Sequence, residues 1–357
     1  MQAMDVGLIG LPRSGKTTVF NLLTSAGIST NPYGGEKLSH SALMPIPDAR
    51  LTALANLYQP KKLTAAWLNV VDVPGLSQRE SGGANRFLHD VRAVDALVHV
   101  VRGFSSEVDG LAHPSQDIDD MELELTLSDM DLLEKRAERI AQAKKSTKEG
   151  QAELALVKRL LAAMEDGKRL AQVDLSPEEE RWLSGYQFLT LKPMICVLNL
   201  DDTTFQSQSY PDQEAIMAWA EQKATLVVPM AGQMEEEIKG LSEEDRHVFM
   251  QDLGIKEVGS ARVAEAVYEK LGCISFLTAG EDEVRAWTIT RGTRAKEAAG
   301  KIHSDIERGF IRAEIVAFND LMASGSMAKA REAGLVRLEG KEYVMQDGDV
   351  VNFRFNV

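Results

Sequence analysis

Cysteine is nearly absent: Cys196 and Cys273 are the whole complement of 357 residues, far apart in sequence. That leaves no basis for a disulfide framework or a cysteine zinc site, and it fits a cytosolic chain with reduced thiols. Long apolar runs are missing too. None approaches the roughly 18 residues a spanning helix needs, and the first residues carry no basic-then-apolar leader, so neither a membrane-spanning nor a secreted protein is expected. Positive charge is also in deficit, with 40 Lys and Arg against 54 Asp and Glu and a net charge of −14. Wholesale coating of nucleic acid is therefore excluded, though local basic patches are not. The length suggests two or three domains with ample core.

What is present begins early. Residues 10–17 read Gly10-Leu-Pro-Arg-Ser-Gly15-Lys16-Thr17, a full Gly-x4-Gly-Lys-Thr phosphate loop. Val6, Leu8 and Ile9 before it read as a buried strand, and Thr18 to Leu23 after it read as a helix. Strand, glycine loop, helix is the context that gives this motif meaning. Gly10 and Gly15 let the backbone curl, so that the loop through Pro12, with the N–H groups of Arg13 and Ser14 onward to Thr18, surrounds a phosphate at a helix N-terminus. Lys16 reaches the β- and γ-phosphates as the catalytic cation, and the Thr17 hydroxyl is a Mg²⁺ ligand.

Leu68–Val73, Ala96–Val101, Met194–Leu200 and Leu226–Met230 are short runs of mostly Val, Ile and Leu, separated by helical stretches. They suit strands covered on both faces, hence a doubly wound α/β sheet whose ligands sit at the strands' carboxyl ends. The alternation stops over 119–187. There Leu123, Leu127, Met130, Leu133, Ala137 and Ile140, then Leu154, Val157, Leu161 and Met164, recur every three or four residues around Lys144-Lys-Ser-Thr-Lys-Glu-Gly150. This predicts a helical coiled-coil hairpin, each stripe seamed on the other. Six basic residues and one acid occupy 135–148 near its tip; they read as a solvated face or as a nucleic-acid contact.

The last eighty residues predict a small α+β module of β-grasp kind. Strands are expected at Ile274–Thr278, Val284–Ile289, Arg312–Val316, Leu335–Leu338, Tyr343–Met345 and Val350–Phe355, and a helix at Ala295–His303. Glu339-Gly340 and Gln346-Asp-Gly348 read as hairpin turns. The expected domains are a doubly wound α/β domain in two parts, 1–118 and 188–277, the helical insert 119–187, and the β-grasp domain 278–357.

Two further motifs complete a nucleotide site. Asp72-Val-Pro-Gly75 ends a strand some sixty residues after the phosphate loop; there Asp72 holds Mg²⁺ through water and Gly75 turns an N–H toward a γ-phosphate. Asn199-Leu200-Asp201-Asp202 ends another, where GTPases carry Asn-Lys-x-Asp and the Asp reads the base; a plain strand-ending turn is the other reading. Val228-Pro-Met-Ala231-Gly232 supplies small residues whose backbone approaches the base.

In order and spacing these motifs resemble the YchF group of the Obg-related P-loop NTPases, also called Obg-like ATPases. The resemblance covers nearly the whole chain and is most specific at Ala286-Trp-Thr-Ile289, Gly309-Phe-Ile-Arg-Ala-Glu314, Arg337-Leu-Glu-Gly-Lys341, Asp347-Gly-Asp349 and Phe353-Arg-Phe-Asn-Val357. Pro45-Ile-Pro-Asp48, Leu191-Lys-Pro193 and Val98-His-Val-Val-Arg102 match as well. It implies a cytosolic protein that hydrolyses ATP or GTP with Mg²⁺ and associates with ribosomes or RNA through the insert and the TGS domain.

Departures from that pattern matter. Leu76 stands where small GTPases orient water with Gln; the family is apolar there and resembles proteins that use a loop His instead, for which His113 is the candidate. The family's Mg²⁺-capping Thr is missing from Tyr33–Ser41, leaving Ser39 or Ser41 as substitutes. Arg13 replaces an Asn that, in related NTPases, helps hold potassium, so its guanidinium supplies that charge or else lies in solvent. Asp202 replaces a Glu typical of ATP-preferring members. A phosphoryl-transfer enzyme is the leading expectation; a nucleotide-binding sensor with little turnover is the alternative.

Overall fold

The computed structural model describes residues 4–24, 26, 40–72, 91–106, 108, 110–143, 147–183 and 185–356. The twelve strands among them are β1 (Asp5–Ile9), β2 (His40–Pro45), β3 (Lys62–Thr64), β4 (Trp67–Asp72), β5 (Ala96–Arg102), β6 (Met194–Asn199), β7 (Leu226–Met230), β8 (Cys273–Ala279), β9 (Glu283–Thr290), β10 (Phe310–Ala317), β11 (Arg337–Glu339) and β12 (Asp349–Phe355). They form two six-stranded sheets, and the described chain divides into two compact units.

The larger unit comprises 4–42 and 70–263. Its sheet has the order β2-β4-β1-β5-β6-β7, with β1, β5, β6 and β7 pairing in parallel. Every residue of β6 is buried, and all of β5 except Arg102, which is why these strands are apolar nearly throughout. This is the α/β P-loop NTPase fold.

The insert helices run Pro114–Ala141 and Lys148–Glu165. Pro114 suits the first helical turn, and Thr147 caps the second helix by accepting from Gly150 N at 3.0 Å. The apolar stripe differs from the expected one. Leu123 and Leu127 are 56% and 51% exposed, while Ile118, Met121, Leu125 and Leu133 are buried. The reason is a change of partner along one helix. Met121 and Leu125 pack with Ile9, Val94 and Leu97 of the sheet, and Leu133 packs with Leu156, Val157, Leu160 and Met164 of the second helix. Between them the buried position is Asp129, fully enclosed, where Arg92 Nη1 (2.8 Å), Leu189 N (3.1 Å), Thr190 N (2.7 Å) and Thr190 Oγ1 (2.9 Å) all donate to its carboxylate. Near the tip Arg136 forks onto Glu153 with two 2.7 Å bonds, and Lys135 pairs with Asp131. Two of the six basic residues are thus neutralised within the hairpin.

The smaller unit comprises 43–69 and 264–357. Its sheet has the order β11-β10-β12-β8-β9-β3, with helix Ala295–Ile302 laid on Phe276, Ile289, Ile315 and Phe353. β10–β11, β10–β12 and β8–β9 are antiparallel, whereas β12–β8 and β3–β9 are parallel. Residues 339–340 and 346–348 are not hairpin turns, because β11 and β12 lie on opposite sides of β10. Tyr343–Met345 is not a strand either; Val344 makes an isolated bridge to Arg294, and Tyr343 O accepts from Ala295 N at 2.8 Å. Pro45-Ile-Pro-Asp48 and Asp347-Gly-Asp349 meet here. Asp48 caps helix Ala49–Tyr58 by accepting from Arg50 N, and the Arg50 guanidinium bridges Asp48 and Asp347.

Candidate functional site

The phosphate loop leaves β1 at Gly10. A Cβ there would lie 2.5 Å from Val100 O and 2.8 Å from Ser14 Oγ, so the loop can lie against β5 only without a side chain. Ser14 is buried and its N–H donates to Leu11 O at 3.3 Å, closing the turn. Gly15 has φ +87°, and its Cβ would fall 2.1 Å from Asn199 Nδ2; both conformation and space demand glycine. Arg13 has φ +65° as well, a left-handed conformation unusual for its type, with its residue exposed and next to exposed Pro12. Helix Lys16–Thr24 follows at once, with Thr17 and Thr18 half-buried in its first turn.

Lys16 and Asp72 come together from positions 56 apart. Nζ donates to Asp72 Oδ1 at 2.8 Å, and only 12% and 10% of the two side chains is exposed. The pair fixes the ammonium beside the loop's N–H groups, at the carboxyl ends of β1 and β4. Asp72 and the Thr17 hydroxyl are hard oxygen donors of the type Mg²⁺ takes, with phosphate oxygens and water completing its shell. Among the described residues no group of three or more His, Cys, Asp or Glu stands ready to hold a metal.

Asn199 is the hub of the site. Its Nδ2 donates to Ser14 O at 3.1 Å, its Oδ1 accepts from Gly232 N at 3.1 Å, and its backbone O accepts from Gly103 N at 2.7 Å. One buried amide therefore joins the phosphate loop to the loop after β7. Gly232 has no room for a Cβ, which would meet Asn199 Oδ1 at 2.8 Å and Thr18 Cγ2 at 3.2 Å. Ala231 before it is buried.

The acidic pair after β6 separates into two jobs. Asp201 caps helix Asp202–Ser207, accepting from Thr204 N at 2.9 Å and from Thr204 Oγ1 at 2.8 Å. Asp202 Oδ1 is buried and has no hydrogen-bond partner. Leu200, expected beside the base, instead has its side chain in the core with Val101, Ile118, Cys196, Leu198 and Ile216; an apolar chain at this place follows the burial gradient inward. Its N–H donates to Met230 O at 2.8 Å.

His113 is exposed at the N-cap of the first insert helix and makes no side-chain capping bond. Gly75, Leu76 and Ser39 lie outside the described residues, and Ser41 is an exposed residue of β2. Sequence reasoning placed Arg102 only within a matching stretch and gave it no role. From the end of β5 its guanidinium donates to Gly110 O at 3.3 Å and Leu111 O at 3.1 Å, holding the loop that carries His113. An arginine closing an otherwise apolar strand was the available signal. It also passed over the buried groups beneath the site. Burial, reinforced by Arg169, pushes His99 down to about 3, and burial pushes Cys196 up to about 12, so neither serves as a base or nucleophile near neutrality.

Comparison with known proteins agrees with this architecture. Residues 5–144 match the family of 50S ribosome-binding GTPases (MMR_HSR1), and residues 273–356 match YchF-GTPase_C, described only as a protein of unknown function. The ribosome-binding ATPase YchF of Bacillus subtilis (strain 168) is 41% identical over 365 residues, covering 99% of this chain and 100% of that protein. Its namesake in Pasteurella multocida (strain Pm70) is 40% identical over 360 residues, covering 98% and 99%. The structure of the Schizosaccharomyces pombe YchF GTPase superposes with a TM-score of 0.87 at 30% identity, covering 99% of this chain and 98% of that one. Identity of this degree over both chains' full length, with the same fold throughout, means that this chain belongs to the YchF family.

Proposed function

We propose that this chain is a cytosolic, Mg²⁺-dependent purine nucleoside triphosphatase that associates with ribosomes and changes its partner affinity with its nucleotide. The observation that carries the reading is the Lys16–Asp72 pair, set at 2.8 Å beside a phosphate loop whose two glycines are sterically required. The loop N–H groups and the helix N-terminus bind phosphate oxygens. Lys16, oriented in advance by Asp72, stabilises the charge that accumulates on the transferred phosphoryl group. Thr17 and Asp72 would hold Mg²⁺, which would supply positive charge to neutralise the phosphate oxygens. The family resemblance, with Leu76 in the place of a water-orienting Gln, makes His113 the candidate to orient water, carried by the loop that Arg102 braces. Turnover is accordingly slow. Ribosome association rests on the names of the relatives, with the insert hairpin and the C-terminal unit as the contacting arms.

Steady-state hydrolysis of ATP and GTP, with and without ribosomes, tests this. Lys16→Ala is expected to abolish turnover, and His113→Ala to reduce it at least tenfold. Equal rates for Lys16→Ala and wild type overturn the enzyme. The absence of the family's Thr from 33–41 favours one second reading, a sensor that binds nucleotide without turnover. Measurable affinity with no hydrolysis, even on ribosomes, decides for the sensor.

A further inference from the structure

We propose that the outward face of the first insert helix, Pro114–Ala141, is a docking surface for a basic amphipathic helix of a ribosomal protein, anchored on Leu123 and Leu127. This rests on the ribosome association proposed above and names the class of partner that the insert takes.

The helix has two faces, and contacts with the core account for one of them. Ile118, Met121, Leu125 and Leu133 are buried, with Asp129 enclosed among them. Leu123 and Leu127 lie on the other side, 56% and 51% exposed, one turn apart on a single stripe. Asp120 stands three residues before Leu123, and Asp131 stands four residues after Leu127, so the stripe runs into an acid at each end. Apolar side chains spaced by three or four along one side of a helix form the seam on which a second helix packs.

Charge decides what kind of helix that is. Residues 114–134 contain eight acids and no lysine or arginine. Two of the eight are engaged inside the fold: Glu122 accepts from Arg169, and Asp129 accepts from Arg92. Asp131 pairs with Lys135, an exposed contact that removes little of its field. Asp119 and Glu134 are exposed and Glu124 is half-exposed, which leaves the two leucines rimmed by negative charge. Such a rim repels the phosphates of RNA, whose binding demands the opposite sign. It attracts lysine and arginine that flank an apolar stripe, and it steers their approach. The insert's basic residues begin at Lys135, about two turns beyond Leu127, so tip and stripe are separate surfaces. Covering the exposed half of two leucines is worth about 10- to 100-fold in affinity.

Co-sedimentation of the full-length protein with purified ribosomes tests this across a range of salt. Leu123→Glu combined with Leu127→Glu is expected to weaken binding at least tenfold, leaving the melting temperature and ribosome-free hydrolysis unchanged. Leu123→Ser combined with Leu127→Ser, which adds no charge, is expected to weaken it at least tenfold too. Neutralising the rim with Asp119→Asn, Glu124→Gln and Glu134→Gln is expected to weaken binding and flatten its salt dependence. Reversing the tip with Arg139→Glu and Lys148→Glu is expected to change binding less than the leucine pair does. Tighter binding on neutralising the rim would mean that phosphate lies against it, and overturns the assignment in favour of RNA. Leucine variants that bind as wild type does overturn the docking surface while leaving the ribosome reading standing. Failure of the wild type to co-sediment overturns both together.

Discussion

Replacing Asn199 with alanine removes the one side chain that ties the phosphate loop to the loop after β7. Asn199 is 5% exposed, and its amide makes two 3.1 Å bonds, one to Ser14 O and one from Gly232 N. Alanine leaves both backbone groups without that partner in a buried setting. At about 1–3 kcal/mol for each of the two stranded groups, the expected loss is roughly 2–6 kcal/mol of unfolding free energy. Phosphate binding should fall with it, because Ser14 belongs to the cradle. Gly15 offers a sharper version of the same test. Its φ of +87° makes Gly15→Ala cost about 1–2 kcal/mol from conformation alone. In the wild type the added Cβ also collides with Asn199 Nδ2, at 2.1 Å. In the Asn199→Ala background that collision is gone and only the conformational cost remains. The double mutant should therefore be more stable than the sum of the single changes, by roughly 1–3 kcal/mol. Urea unfolding of the four proteins measures the cycle, with GDP titration alongside. Additivity within about 0.5 kcal/mol would refute the hub, because it would mean the two side-chain positions do not meet.

Three further outcomes are expected. Asp129→Ala removes the buried acceptor of Arg92, Thr190 and Leu189 and should cost about 3–5 kcal/mol in urea unfolding, since it takes the carboxylate from a partly buried guanidinium and leaves two buried backbone donors unpaired. His99 is held neutral down to about 3 in the folded chain but takes a proton near 6.5 when unfolded, so the unfolded state binds more protons between those values and stability falls as pH drops through that window. Between pH 6.5 and pH 5 this amounts to about 2 kcal/mol, and His99→Leu should flatten that part of the stability-versus-pH curve. Arg13→Gly should relieve the left-handed backbone at φ +65° and raise stability by about 1 kcal/mol in thermal melts. If the Arg13 guanidinium replaces a bound potassium ion, wild-type turnover in sodium buffer should match turnover in potassium buffer.

The parts of this protein legible in its sequence are those where one physical requirement dominates. Buried parallel strands must be apolar on both faces, so β5, β6 and β7 declare themselves within a residue of their ends. A loop lying so close to β5 that a Cβ would sit 2.5 Å from Val100 O needs glycine, so Gly10 does too. Legibility fails where one element serves two masters. The helix Pro114–Ala141 packs on the sheet through Met121 and Leu125, then on its hairpin partner through Leu133, and the face turns at a buried aspartate. A single-period reading across that turn selects Leu123 and Leu127, which are exposed, and discards Asp129, which anchors the insert. The same ambiguity governs Asn199-Leu200-Asp201-Asp202. Three turn-forming residues and a leucine admit both a plain turn and a base-reading motif, and composition does not choose. Hydrogen bonding assigns the parts of the turn: Asp201 commits its carboxylate to Thr204, Asn199 its amide to the two flanking loops, and Leu200 its side chain to the core. Only Asp202 retains an unspent buried oxygen, so the division of labour within the motif is decided by which polar groups the fold has already satisfied.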